Sequence, residues 1–175
     1  MRTEKSILSN ETLFCDEGIH RLLLCKKWDN EKPSAMVIMI NPNSADNLNM
    51  DMTTMLVVNN LNKLDFGSVD IVNLYTRIVP KIHFRFNSDE DLLHPDNDGI
   101  ILECAEKADK IIIGWGTVGS HTQRIRERQH SLLKMLEPYR DKLFQIGESG
   151  NHPLTPSVRN YWELIPYEME ENNNA

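Results

Sequence analysis

Residues 35–53, AMVIMINPNSADNLNMDMT, constrain the fold of this chain more than any other stretch. The unbroken apolar run from Ala35 to Ile40 is too short for a helix and lacks the polar alternation of a half-exposed strand. It therefore predicts a strand buried on both faces, which demands further structure above and below it. At Asn41 the chemistry changes. Asn41-Pro42-Asn43-Ser44-Ala45-Asp46 sets amide, hydroxyl and carboxylate groups at the carboxyl end of that strand, where open α/β sheets place their ligand crevices.

Three further apolar runs fit strands of the same sheet. Residues 68–74 end in Asn73-Leu74, Lys110 to Ile113 runs into Gly114-Trp115-Gly116-Thr117-Val118-Gly119, and Leu143 to Ile146 runs into a loop holding His152-Pro153-Leu154. Helical patterns lie between them. Met55, Val58, Leu61 and Leu64 form an apolar stripe whose start Asp51 or Thr53 can cap. Ser88 to Asp91 with Pro95 introduces a helix through about Ala108, and His121 to Leu136 carries Ile125, Leu132, Leu133 and Leu136 before Pro138 stops it. Residues 12–28 read as a β-hairpin turning at Asp16-Glu17-Gly18. The alternation predicts a three-layer α/β/α sandwich with a central, mainly parallel four-stranded sheet plus an N-terminal β-hairpin. We expect one α/β domain over residues 1–167 and a flexible acidic, Asn-rich tail over 168–175.

With 175 residues, a domain of this size buries roughly two-thirds of its unfolded surface without disulfides or metal. No apolar run approaches the roughly 18 residues of a membrane span, and the charged N-terminus lacks a secretory core, which points to the cytoplasm. Cys15, Cys25 and Cys104 form no CxxC pair and read as reduced filler. The net charge of −7 argues against non-specific gripping of long nucleic acid. The basic run Arg124-Ile125-Arg126-Glu127-Arg128 is interleaved with glutamate and fits a solvated helix face better than a phosphate-binding patch. Arg21, just after the hairpin turn, suits a structural role or projection toward an anion.

The motifs exclude several chemistries. HExxH and clustered Cys/His spacing are absent, as are GxGxxG, GxxxxGK[ST] and GxSxG. No cofactor or metal is therefore expected, although Asp46 and Asp51 leave a magnesium-dependent phosphoryl-transfer or nuclease reading open as an alternative. What remains is a polar set at strand ends. Asn41, Asp46 and His152 are the candidate catalytic residues. Pro42, Ser44, Asp51, Asn73, Trp115, Gly116 and Pro153 are the candidate substrate-binding residues. Such a set can read a base edge, stack on its face, position water and stabilise an oxyanion. Trp115 fits either a stacking wall or core filling, and His152 either a ligand or a structural role.

Two resemblances follow from these residues. Trp28, Asn41-Pro42-Asn43-Ser44-Ala45-Asp46, Asp51, Thr53, Asn73-Leu74, Trp115-Gly116 and His152-Pro153-Leu154 resemble the bacterial and phage family catalogued as domain of unknown function 1643, over roughly residues 12–160. That family implies no activity. More distantly, Met39-Ile40-Asn41-Pro42 and His152-Pro153-Leu154 resemble the two motifs of the uracil-DNA glycosylase superfamily, with Met39 where one branch has glycine and Leu154 where serine is usual. This resemblance implies that Asn41 positions the attacking water and His152 supports the departing base. The expected partner is a nucleobase-containing small molecule or nucleic acid, not a membrane. The expected function is binding of a nucleobase, nucleotide or damaged nucleic acid with hydrolysis of an N-glycosidic bond. A noncatalytic nucleotide- or protein-binding module on the same fold is the alternative.

Overall fold

The computed structural model describes residues 1–117 and 121–169. Val118 and Gly119 of the glycine-rich run, and residues 170–175 of the expected flexible tail, lie outside the described residues. The chain forms a mixed α/β structure around one seven-stranded sheet, with spatial order β1-β2-β4-β3-β5-β6-β7. Its strands are β1 (Ser9–Cys15), β2 (His20–Lys27), β3 (Ser34–Met39), β4 (Ser68–Asn73), β5 (Lys110–Ile113), β6 (Leu143–Ile146) and β7 (Leu164–Pro166). The helices are α1 (Met52–Lys63), α2 (Asp89–Leu92), α3 (Asn97–Lys107) and α4 (Gln123–Met135).

The expected four-stranded sheet is thus corrected to seven strands of mixed direction. β3 pairs in parallel with β4 and β5, and β5 with β6, while β1–β2, β2–β4 and β6–β7 are antiparallel. The hairpin is not an appendage. Leu24 of β2 registers with Ile71 of β4, so the hairpin extends the sheet. On the opposite side, β7 is three residues long and ends in Pro166, too short for any period to be read from sequence.

The reading of Ala35–Ile40 as doubly buried accounts for the layers. Ala35, Val37 and Met39 join Val57 and Leu61 of α1 in one core, whereas Met36 and Ile38 join Ile101 and Ala105 of α3 and Ile125 and Leu132 of α4 in another. Alternate residues therefore serve opposite faces, which is why every position from Ala35 to Met39 is apolar. The single helix expected across Pro95 is two. Proline supplies no N–H and disfavours helical geometry at His94, so α2 ends at Leu92 and α3 restarts at Asn97. Buried Asn97 then donates to the backbone carbonyl of Asn73, 3.0 Å away, tying the start of α3 to the end of β4.

Candidate functional site

The connections place the crevice. The chain leaves β3 through α1 on one face toward β4, and leaves β5 through α4 on the other face toward β6. Adjacent strands β3 and β5 thus send their following loops in opposite directions. This is the switch point at which an open sheet leaves a gap outside its strand ends.

One wall is the 41–51 loop, and buried cations hold it from below. One extra residue, Leu22, sits in β2 opposite the Leu13/Phe14 step of β1. The bulge shifts the side-chain alternation, bringing Arg21 to the same face as Leu24 and Lys26. Arg21, 2% exposed, donates to the carbonyls of Asn43 and Ala45. Lys26, 0% exposed, donates to those of Asp46 and Asn47 at 2.8 Å each. Burial pulls the Arg21 pKa down to about 10 and lowers that of Lys26, with Asp46 partly opposing both shifts. Arg21 is therefore structural, and Lys26 is a site-building residue that the sequence reading missed. A lysine inside a strand's apolar alternation was the available signal.

Within this wall the candidate residues do different work. Asn41 donates its amide to the carbonyl of Val79 at 2.7 Å, so its Nδ2 is anchored while its Oδ1 has no partner among the described residues. Asp46 turns its carboxylate into its own loop, accepting from the backbone N–H groups of Leu48 and Asn49 and from the Asn49 amide. The Asn49 and Leu48 donors hold the Asp46 pKa below the usual carboxylate range. Asp51 is the N-cap of α1, with Oδ1 accepting from Thr54 N–H at 2.7 Å. Pro42 is buried and Ser44 exposed.

The opposite wall comes from the loops after β5 and β6. Gly116 has φ +88°, and a side-chain carbon built there would lie 3.5 Å from Cβ of His152 and 3.9 Å from Nε2 of His121. Glycine is required because the backbone is left-handed there. The half-buried His152 accepts the N–H of Leu154 at Nδ1, 3.1 Å away. Burial lowers its pKa, His121 lowers it further, and Asp51 works the other way. His152 is thus neutral at pH 7, with its proton on Nε2, and it feels both Asp51 and His121.

The structure brings Gly116 and His152 of the candidate set together, with Asp51 acting on His152 electrostatically, and adds His121, which sequence reasoning passed over as the start of a helix. Trp115, 2% exposed, packs in the core with Ile125 and Tyr75, so its backbone rather than its indole borders Gly116. Asn73 is 1% exposed at the end of β4, and both its amide atoms lack partners among the described residues. Pro153 is buried behind His152.

Two expectations about other groups change or sharpen. Arg124 and Arg128 are staples, whereas Arg126 and Glu127 lie on the solvated face that the sequence predicts. Arg124 binds Asp89 and stacks 4.6 Å from the Phe84 ring, Arg126 donates to the His121 carbonyl, and Arg128 binds Asp98 and the carbonyl of Leu74. The cysteines are free thiols, and burial pushes Cys25 and Cys104 up to about 12, far from the range of an activated nucleophile. No helix among the described residues is long and apolar enough to cross a membrane.

A family model described as "Protein of unknown function (DUF1643)" matches residues 21–156, a span that includes every crevice residue named above. No curated protein and no solved structure matches the chain.

Proposed function

We propose, from the premise that the chain belongs to the DUF1643 family, that it is a uracil-DNA glycosylase-like protein. In this reading it binds a nucleobase, nucleotide or damaged nucleic acid in the crevice and hydrolyses an N-glycosidic bond. The observation that carries it is the convergence of the His-Pro loop on Gly116, with His152 in the electrostatic field of Asp51 some hundred residues away in sequence. The parallel run β4-β3-β5-β6 between helices supports it as the sheet such a site needs.

In this reading Asn41 offers Oδ1 to the attacking water, because its Nδ2 is already held by Val79. Neutral His152 directs Nε2–H at the base as it gains charge, a donor that needs no proton transfer to act. Asn73 is 1% exposed with both amide atoms buried, so in this reading it supports the end of β4 rather than contacting the base. Asp46 shapes the loop through its bonds to residues 48 and 49 instead of touching the reacting atoms.

That last point also favours the runner-up, a noncatalytic binding protein on the same scaffold, because it removes one carboxylate from the candidate bases. The loop geometry favours magnesium-dependent chemistry less. Asp46 and Asp51 both spend oxygens on backbone N–H groups, and no three His, Cys, Asp or Glu side chains converge as a metal set among the described residues.

Incubation with nucleosides, nucleotides and lesion-containing single- and double-stranded oligonucleotides, with chromatographic detection of free base, separates the readings. Base release that falls about 10²-fold in Asn41→Ala and in His152→Ala, with both variants folded, is the expected result. Saturable binding without release supports the runner-up. Neither release nor binding overturns both.

A further inference from the structure

We infer that His121 is a second ligand-facing imidazole, positioned by Gln129, and that with His152 it forms a paired Nε2–H donor site for an oxo oxygen of the leaving base. The inference rests on the reading above and narrows it to bases bearing a ring carbonyl, such as uracil, hypoxanthine or xanthine, over adenine.

The geometry comes from two independent anchors. His121 precedes Thr122, the N-cap of α4, and folds back along that helix. Arg126 donates to its backbone carbonyl, and the amide nitrogen of Gln129 lies 2.9 Å from its Nδ1. An amide nitrogen can only donate, so Nδ1 accepts and the ring's proton sits on Nε2. Gln129 is 3% exposed, and its Oε1 has no partner among the described residues, so His121 is the one side chain it serves there. His152 reaches the same state separately, through the Leu154 N–H on its Nδ1. The Nε2 of His121 and the Cβ of His152 both lie within 4 Å of one point above Gly116.

Two imidazoles that each present an Nε2–H, one of them in the field of the Asp51 carboxylate, suit a particular kind of ligand. A phosphate dianion would meet the acid. A neutral heterocycle that becomes anionic only as it leaves would gain the donors when it needs them. Water adds to the sugar carbon and the C–N bond breaks with its electron pair on the base. That charge delocalises onto the oxo oxygen between the two Nε2–H groups, and the water's proton ends on the ring nitrogen. Adenine has no such oxygen.

The test is long-range proton–nitrogen correlation on ¹⁵N-histidine-labelled full-length protein at pH 7.5. His121 and His152 are both expected as Nε2–H tautomers. The isosteric Gln129→Glu replaces a donor with an acceptor and should move the His121 proton to Nδ1 while leaving His152 unchanged. Finding His121 as Nδ1–H in the parent protein, or no response to Gln129→Glu, overturns the inference.

Addition of free uracil, hypoxanthine and xanthine should shift the Nε2 signals of both rings in at least one case, and adenine should shift neither. Failure of all three oxo bases overturns the inference. Where the parent protein releases base, His121→Ala should lower kcat at least tenfold with little change in KM, and an unchanged kcat overturns it. Ring shifts with an oxo base but no release from any substrate would uphold the donor pair as a binding site and remove only the hydrolytic reading. Release that ignores His121 would do the reverse.

Discussion

The protein contains two pairs of histidines, and they differ in what is left for a ligand. His20 and His94 sit between the hairpin turn and the segment leading to α3, with ring centroids 5.8 Å apart. The Thr76 hydroxyl donates to the Leu92 carbonyl, so it accepts from Nδ1–H of His20 at 2.7 Å, and it also takes the backbone N–H of His94. Both Nε2 atoms lie 3.9 Å from the same oxygen of Asp16, and Nδ1 of His94 accepts from Asp96 N–H. In this pair both Nδ1 atoms are bonded and a carboxylate of the fold faces both Nε2 atoms. In the crevice pair, Nδ1 of each ring is occupied and Nε2 has no partner among the described residues. On the proposed reading, burial alone does not mark a functional histidine; an unspent nitrogen at a strand-end crevice does.

The comparison breaks most visibly if the two pairs respond alike to truncation. His152→Ala should reduce base release by about 10²- to 10³-fold, the usual loss for one oxyanion donor, with a small change in denaturation midpoint. His20→Ala should leave release intact and cost about 1–3 kcal/mol by chemical denaturation, since it removes a buried ring and its bond to the Thr76 hydroxyl. Equal rate losses in both would dissolve the distinction.

A smaller effect tests the wall that carries Asp51. Lys26→Met removes the donor to two loop carbonyls, and at about 1–3 kcal/mol for each stranded group it should lower stability and release together. Amide exchange at Leu48 and Asn49 should accelerate in the same variant. Stability loss with unchanged release would mean that the loop's position does not matter to the site.

Smaller still is the cap. Asp51→Ala should cost about 0.5–2 kcal/mol through the lost bond to Thr54 N–H, while Asp51→Asn retains the cap and removes the charge. Because Asp51 raises the proton affinity of His152, Asp51→Asn should move the acid limb of the release profile to lower pH. Asp16→Asn, acting on His20, should leave that limb in place.

The pH dependence of stability should be the mildest and should not distinguish the pairs. Burial, the main cause in each case, holds His20 and His152 below the ordinary imidazole value of 6.5. The unfolded chain then binds more protons in that window. Their contribution is complete above about pH 6.5 and declines as pH falls through the folded values. Replacing either histidine should flatten the acid side of a denaturation series by one group's worth.

Much of this was legible in the residues. The unbroken Ala35–Ile40 run announced a strand covered on both faces, and the runs at 110–113 and 143–146 became strands with those bounds. The strand-end rule put the candidate residues on one edge. Less visible was everything that depends on which face a side chain takes. Arg21 suits a structural role or projection toward an anion until the bulge at Leu22 turns it inward, and Lys26 went unread although it lies in the apolar alternation of β2. Trp115 fitted a stacking wall or a core equally well, because a strand-end tryptophan has both faces of the sheet available to it. His121 carried no local signal, since its partner Gln129 is two helical turns away.

The order of apolar and polar residues by itself determined the parallel strands, their connecting helices and the edge at which polar loops gather, because periodicity and chain connectivity are local properties. Only the tertiary structure decided which polar groups are consumed in building that edge and which still have an atom to offer. A hydrogen bond between residues eight, twenty or a hundred positions apart leaves no trace in the composition of either segment.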